Sequence, residues 1–375
     1  MKAKNRSEII WDKFEEGVFV IAEAGKNFIQ TENDCSVDEY LKNARALVDE
    51  AVKSGASAIK FQTHNVGDEQ LDVNIVSPHF KGSDRYAWVK RNTFGTPMNE
   101  FWKPLKKYCD EKGIMFFSTP MSRGAARILN EVGVDLWKIG SGDILDFPML
   151  DYMRQSGKPI IISTGMSTLE EIDSAVKFLR AKNDKVAVLH CVSKYPCPPE
   201  ELQLNTIKFL KERYNMPVGF SDHSVGIDSS LAAVTLGATI LEKHFSMSRE
   251  LWGSDHKVSL TPAEFLNLTD GVKEVQTNVF KKKSVLQSEL VQKGMGDVKK
   301  VLQEGEAVFR PLFRKSLMAG CDIPVGTSIT PEMVYAMRPQ QYAGGLPSEE
   351  YENILGKNVN KEFKKYDPIT LDGIV

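Results

Sequence analysis

The sequence predicts an α/β protein, a (β/α)8 barrel of the TIM type followed by a small C-terminal domain. Three observations carry this. Short runs rich in β-branched and aromatic residues recur eight times, at 18–22, 58–61, 115–118, 136–139, 159–163, 186–190, 217–220 and 239–242. Between them lie longer amphipathic stretches with helix start and stop signals, the alternation expected of a parallel sheet. After Phe280 the pattern gives way to a polar stretch and then to short strand-like runs and turns. An open doubly wound sheet would alternate in the same way, but no G-x-G-x-x-G follows any run. Eight units between residues 18 and 245 suit the closed barrel.

The helices declare their ends. Ser36-Val-Asp-Glu39 has capping-box spacing, and Gly55 stands where a helix C-terminus favours glycine. Thr168-Leu-Glu-Glu171 opens a second helix, and Thr261-Pro-Ala-Glu264 a third with proline at its first position. Pro104 interrupts an otherwise helical pattern, which predicts a kink or a later start. Residues 64–98 form a long polar insertion bearing aromatics, the texture of a functional loop or lid, and His64 and His79 read as its loop residues. Domain limits fall at 1–285 for the barrel, 286–308 for a linker and 309–375 for the small domain.

Composition narrows the function. The 375 residues are 42% hydrophobic and 26% charged, ordinary for a soluble globular chain. A net charge of −2 supplies no field that would draw the molecule to nucleic acid or to an anionic membrane, so neither is expected as a partner. The first residues carry no apolar h-region, and no run approaches the ~18–20 apolar residues of a membrane span. Cysteines at 35, 109, 191, 197 and 321 form no C-x-x-C pair. That fits reduced thiols and a cytoplasmic enzyme.

In such a barrel chemistry gathers at the C-terminal ends of the strands. Read there, the sequence offers Glu23 on the first strand, Lys60 and Gln62 on the second, and Ser118-Thr119 on the third. Lys138, Ser141 and Asp143 end the fourth, Ser163-Thr164-Gly165 the fifth, and His190 the sixth with Lys194-Tyr195 beyond. Ser221-Asp222-His223 end the seventh, and the eighth carries Glu242 and His244 with Asp255 in the loop beyond. Two lysines among small hydroxyls and glycines suit a phosphate-bearing ligand, because hydroxyl and backbone N–H groups donate to phosphate oxygens while lysine supplies charge. His223 and His244 stand on neighbouring strands, where two imidazoles can share one divalent ion that keeps open positions. His190 has apolar neighbours and reads as core. Ser221-Asp222-His223 has the composition of a hydrolase triad, but adjacent residues of an extended strand face opposite ways and cannot form a relay.

The motifs KFQT at 60–63, FFSTP at 116–120, KIGSGD at 138–143, IISTGMS at 161–167, LHC at 189–191 with YP at 195–196, GFSDHS at 219–224 and LEKHF at 241–245 resemble, in order and spacing, the sialic acid synthase family of N-acetylneuraminate, legionaminate and pseudaminate synthases. Residues 309–375 are similar to the antifreeze-like (SAF) domain of such enzymes, and Arg338-Pro339 matches the arginine which that domain inserts into a partner's active site. The resemblance implies a transferase that condenses phosphoenolpyruvate with an acetamido-sugar aldehyde. It implies that Lys60, Thr119, Lys138, Ser141, Ser163 and Ser221 hold phosphoenolpyruvate. His223 and His244 would hold a divalent metal, manganese most often, with magnesium or cobalt as alternatives. Gln62, Asp143, Tyr195, Asp255 and Arg338 would handle the sugar, with Glu23, Asp143 and Arg338 in the catalytic roles. Glu23 and Asn27 match the family's first-strand motif, and a domain-swapped homodimer is implied, the linker spanning between subunits. Phe28-Ile29-Gln30 stands where the family has His, a polar residue and Gly, and Asp143 stands where many bacterial members have Glu. Those departures bear on which sugar is used. Two other readings remain: a Schiff-base pyruvate-dependent aldolase using Lys60 or Lys138, and a non-catalytic carbohydrate-binding protein suggested by the small domain.

Overall fold

The computed structural model describes residues 6–73, 75 and 84–375; His79 lies outside them. Eight parallel strands form the expected barrel: β1 Phe19–Gly25, β2 Ala58–Thr63, β3 Met115–Pro120, β4 Trp137–Ile139, β5 Ile160–Ser163, β6 Val186–Cys191, β7 Val218–Asp222 and β8 Ile240–His244. The ladder runs β3-β2-β1-β8-β7-β6-β5-β4, and β3 and β4 close the ring side by side without a ladder among the described residues. The strands are buried along nearly their whole length, as a sheet covered by helices on one side and filled on the other requires.

The alternation of side chains along each strand builds the site. Inward-facing Ile21, Ala58, Phe117, Ile161, Leu189 and Ile240 pack as one cluster inside the barrel, with Leu136 just ahead of β4. The N-terminal helix Arg6–Glu16 closes the bottom of this cluster with Ile10 and Phe14. Two residues further along each strand the same inward face carries Glu23, Lys60, Thr119, Ser163, Cys191 and Glu242, with Lys138 above Leu136. The barrel is a packed apolar plug below and a polar floor above.

Gly219 on β7 belongs to the apolar layer, and the space is already full. A Cβ there would lie 2.2 Å from the Ile240 carbonyl oxygen and 2.5 Å from Leu189 Cδ2. Gly219→Ala should therefore push β7 away from β8, two residues before Ser221. Overpacking of this kind costs about 1–3 kcal/mol, a fall on the order of 5 °C in melting temperature for a domain of this size. An unchanged melting curve would contradict this packing.

The caps follow the sequence with small departures. Thr168 and Glu171 form a full capping box, while Ser36 supplies only the N-cap half, accepting from Glu39 N at 3.2 Å. Before Pro104 the chain makes one π turn, Met98–Trp102, and the α-helix Lys103–Lys112 then starts with the proline in its first turn, where a missing N–H costs nothing.

The small domain pairs β9, Ser316–Ala319, with β10, Val334–Met337. It sits on the barrel's upper rim. Arg123 donates to the carbonyls of Pro331 and Val334 at 2.5 and 2.9 Å. The backbone of Arg338 pairs with the chain just after β2, donating to Glu69 O at 2.9 Å and accepting from Leu71 N at 2.8 Å. Residues 286–308, read from sequence as a spanning linker, are packed on the barrel over much of their length. Val291 and Glu306 are fully buried, and Leu204 N donates to Gly294 O at 2.9 Å. Polar residues there satisfy the barrel rather than water.

Candidate active site

The upper mouth of the barrel is a cavity of about 1080 Å³, counted out to its opening, and all fourteen site residues singled out from the sequence line it. Asn27, the other first-strand match, does not. It is buried beside the mouth and ties β1 to the segment after β8, donating to Phe245 O at 2.8 Å and Ser259 Oγ at 3.1 Å.

The floor is a buried charge cluster. Lys60 Nζ lies 2.6 Å from Glu23 Oε2 and 3.6 Å from Glu242 Oε1, and donates to Thr119 Oγ1 at 3.0 Å. Lys138 Nζ donates to Ser163 Oγ at 2.6 Å and to Ile139 O at 3.2 Å, with Glu242 Oε2 at 3.7 Å. Ser221 Oγ donates to Glu242 Oε1 at 3.2 Å. Gln62 Nε2 donates to Glu23 Oε1 at 2.9 Å. The two carboxyls differ. Burial pushes Glu23 above the ordinary carboxylate range despite Lys60. Burial acts on Glu242 in the same direction, but Lys138 and Lys60 outweigh it and hold it below that range. Burial also lowers Lys138, whereas in Lys60 the attraction of Glu23 and Glu242 outweighs burial and raises it. Two neighbouring carboxyls whose pKa values are pushed in opposite directions are the arrangement of a proton-transfer site.

One wall is imidazole. The rings of His223 and His244 have centroids 5.4 Å apart, and Tyr195 packs on His223 at 4.0 Å and edge-on to His244 at 5.7 Å. His223 Nδ1 donates to Val192 O at 2.8 Å, which leaves Nε2 facing the cavity. His244 Nδ1 is buried without a hydrogen-bond partner. Burial lowers the His244 pKa to about 4, so the ring is neutral at pH 7. Asp222, between Ser221 and His223, points out of the barrel to Lys243 Nζ at 2.8 Å and to Ser230 Oγ at 2.6 Å, so the serine, aspartate and histidine do not meet as a triad. His190 is buried, with Nε2 2.6 Å from Leu202 O, and is lowered to about 3 by burial and then by Lys300, as a core histidine should be.

The small domain contributes Phe309, Phe313 and Arg338 to the rim. Arg338, 1% exposed, pairs with Asp143, which Lys315 Nζ also approaches to 2.8 Å. This is the Asp143 of its own chain, whereas the sequence reading sends the arginine to a partner. The Phe313 ring lies under both Arg85 (guanidinium carbon 4.7 Å from the centroid) and Arg338 (5.7 Å). It also covers Gly142 so closely that a Cβ there would come within 2.8 Å of its ring.

Sequence reasoning missed several groups at this mouth. Glu242 was visible on the eighth strand but given no part, although it has the same parity as His244. His64, read as a loop residue, is buried at the cavity wall because β2 continues to Thr63; its Nδ1 lies 2.8 Å from Glu69 Oε2. Burial disfavours the ionised Glu69, but His64, Arg338 and Arg85 outweigh it and hold it at about 2. Lys26, Arg85, Phe309 and Phe313 also line the cavity, the last two from the start of the segment read as the small domain.

Residues 47–284 match the model of the NeuB family. The chain belongs to the NeuB family. The N,N'-diacetyllegionaminic acid synthase of Campylobacter jejuni is 32% identical over 92% of this chain and 97% of its own. Human N-acetylneuraminate-9-phosphate synthase is 30% identical over 96% of this chain and 93% of its own. Among solved structures, the spore coat polysaccharide biosynthesis protein SpsE of Bacillus subtilis superposes with a TM-score of 0.76 at 30% identity, covering 96% of this chain and 95% of that one. The sialic acid synthase resemblance read from the motifs therefore holds over more than nine-tenths of the chain, and so does the expectation of a biosynthetic enzyme. Among the described residues no helix is long and apolar enough to cross a membrane.

Proposed function

We propose that this NeuB-family enzyme condenses phosphoenolpyruvate with the open-chain aldehyde of an N-acetylated amino sugar, ManNAc or a 2,4-diacetamido-2,4,6-trideoxyhexose, giving a nine-carbon sialic-type acid and phosphate. The observation that carries the reading is the floor: two buried lysines interleaved with Thr119, Ser163 and Ser221, directly beside a pair of imidazoles. Lys60 and Lys138 would hold the phosphate and carboxylate of phosphoenolpyruvate, with Ser141, whose Oγ accepts from Gly165 N at 3.1 Å, as a further donor.

The histidines fit a divalent ion. Each imidazole ligand places its ring centre about 3.2 Å from the ion, so two on one ion stand about 5 Å apart. His223 and His244 meet that spacing with a free nitrogen each. His223 is oriented through its other nitrogen, as ligating histidines are. Manganese is the expected ion, with magnesium or cobalt as alternatives, and when bound it would polarise the sugar aldehyde as a Lewis acid.

The chain's own groups do the rest. Tyr195, Asp255, Gln62 and Arg338 line the sugar side and fix the aldehyde above the enol carbon. Attack forms the carbon–carbon bond and leaves a cationic C2. Water adds there, and C–O cleavage releases phosphate. Glu23, whose pKa burial raises, and Asp143, paired with Arg338, would move protons in those steps.

The test is a mass-spectrometric screen of acetamido-hexoses with phosphoenolpyruvate and manganese, with phosphate release followed in parallel. One phosphate per nine-carbon acid is expected, with loss of turnover in EDTA and recovery on adding manganese. Equal condensation from pyruvate, or full activity in metal-free protein, would refute it. The lowered pKa of Lys138 is what a Schiff-base amine would have, and borohydride trapping with pyruvate tests that aldolase reading directly.

A further inference from the structure

The segment between the two domains reaches into the machinery just described. Glu306, fully buried, accepts through Oε1 from Met166 N at 2.8 Å and from Ser193 N at 2.7 Å. These amides belong to different loops, one after β5 and one after β6. The first loop begins at Ser163, which bonds Lys138. The second leads to Tyr195, which packs on His223. The loops touch tightly: a Cβ on Gly165 would lie 2.1 Å from Ser193 Oγ and 2.7 Å from Ser141 Oγ.

Met166 explains why a clamp is needed. Its φ is +55°, a left-handed conformation that a side chain disfavours by about 1–2 kcal/mol. Such residues persist where their surroundings over-determine them. Both ends of this residue are gripped from beyond the barrel: its N–H by Glu306 of the interdomain segment, its C=O by Arg310 Nη1 at 2.7 Å and Arg314 Nη2 at 2.6 Å from the start of the small domain. Both arginines also hold Glu171, on the helix that follows. Thr164, at the start of the first loop, is tied to β6 through Leu189 O, which accepts from its N–H and its hydroxyl at 3.1 Å each; Glu306 adds the link from that loop to the one after β6.

We propose that Glu306 is a positioning residue of the active site: from outside the barrel it locks the loops after β5 and β6 so that Ser163 and Tyr195 face the same ligand. A barrel cut near residue 285 then lacks a carboxylate on which its own active-site loops depend. The inference rests on the proposed reaction only for which substrates feel the change.

Glu306→Ala and Glu306→Gln in the full chain test it. The glutamine keeps one oxygen able to accept from both amides. Glu306→Ala should lower kcat/KM at least 100-fold, chiefly through higher KM for both substrates, and Glu306→Gln should restore it to within about tenfold of wild type. A role in stability alone would lower the melting temperature and leave the kinetics of folded protein unchanged, which would overturn the proposal, as would a glutamine variant no better than alanine. Amide hydrogen exchange at Met166 and Ser193 supplies a readout independent of substrate. Both amides should exchange faster in the alanine variant, and unchanged protection there overturns the clamp. Failure of wild-type protein to turn over phosphoenolpyruvate would count against the reaction and leave the exchange result standing.

Discussion

Lys138→Met should raise the KM for phosphoenolpyruvate about 30- to 1000-fold, corresponding to a charge-assisted contact of about 2–4 kcal/mol lost in a buried site. Lys138 is the sharper probe of the two floor lysines. Its carboxylate partner, Glu242, stands at 3.7 Å, a looser pair than that of Lys60, so more of its charge is left for a ligand. Lys60 lies 2.6 Å from Glu23, and Lys60→Met should lower thermal stability as well as binding, because a buried pair broken on one side costs about 3–5 kcal/mol. The pH dependence carries a sign. The ligand needs the ammonium form, and burial has moved the Lys138 pKa below its usual 10.5. Affinity should therefore fall as pH rises, at lower pH than for an exposed lysine, and this limb should vanish in Lys138→Met. Titration calorimetry with phosphoenolpyruvate checks both points. Affinity within a few-fold of wild type would remove Lys138 from the phosphate site.

The barrel was legible because two periodicities agreed. Strand ends were placed to within a few residues, and period-two alternation then carries the inward face from Ile21 to Glu23 and from Ile240 to Glu242 without further information. Pairings across sequence were not legible. Nothing near Glu69 announces that it will be buried against His64, and nothing near Lys60 says that Glu23 will pair with its charge. The polar texture of 286–308 hid its burial for a definite reason. Glu306 and Lys300 look like solvated charges in a string of residues, but one is bonded to two loop amides and the other is buried 3.8 Å from it. A polar segment reads as a linker until its partners are known, and here the partners are backbone groups, which every sequence has and none displays.

An Arg338→Ala chain and a His223→Ala chain, each nearly inactive alone, should regain activity when mixed under subunit exchange. We propose that the enzyme is a homodimer that trades its small C-terminal domains, as the Arg338-Pro339 motif suggests. In the single chain Arg338 reaches its own Asp143, with its backbone held by Glu69 and Leu71. Exchange can preserve each of these contacts. Residues 296–299 are exposed, and a hinge there would carry Glu306, Phe313 and Arg338 together onto the partner's mouth, where the same pairs re-form between chains. The arithmetic separates the two arrangements. In an equal mixture half of the dimers are mixed, and each would hold one barrel with both its histidines and a donated arginine, giving about one quarter of wild-type activity. If every arginine serves its own barrel, the His223→Ala chain spends its arginine on a dead site and no mixed dimer recovers. Mixed dimers that form, as mass spectrometry would show, and yet stay inactive would fix the site within one chain.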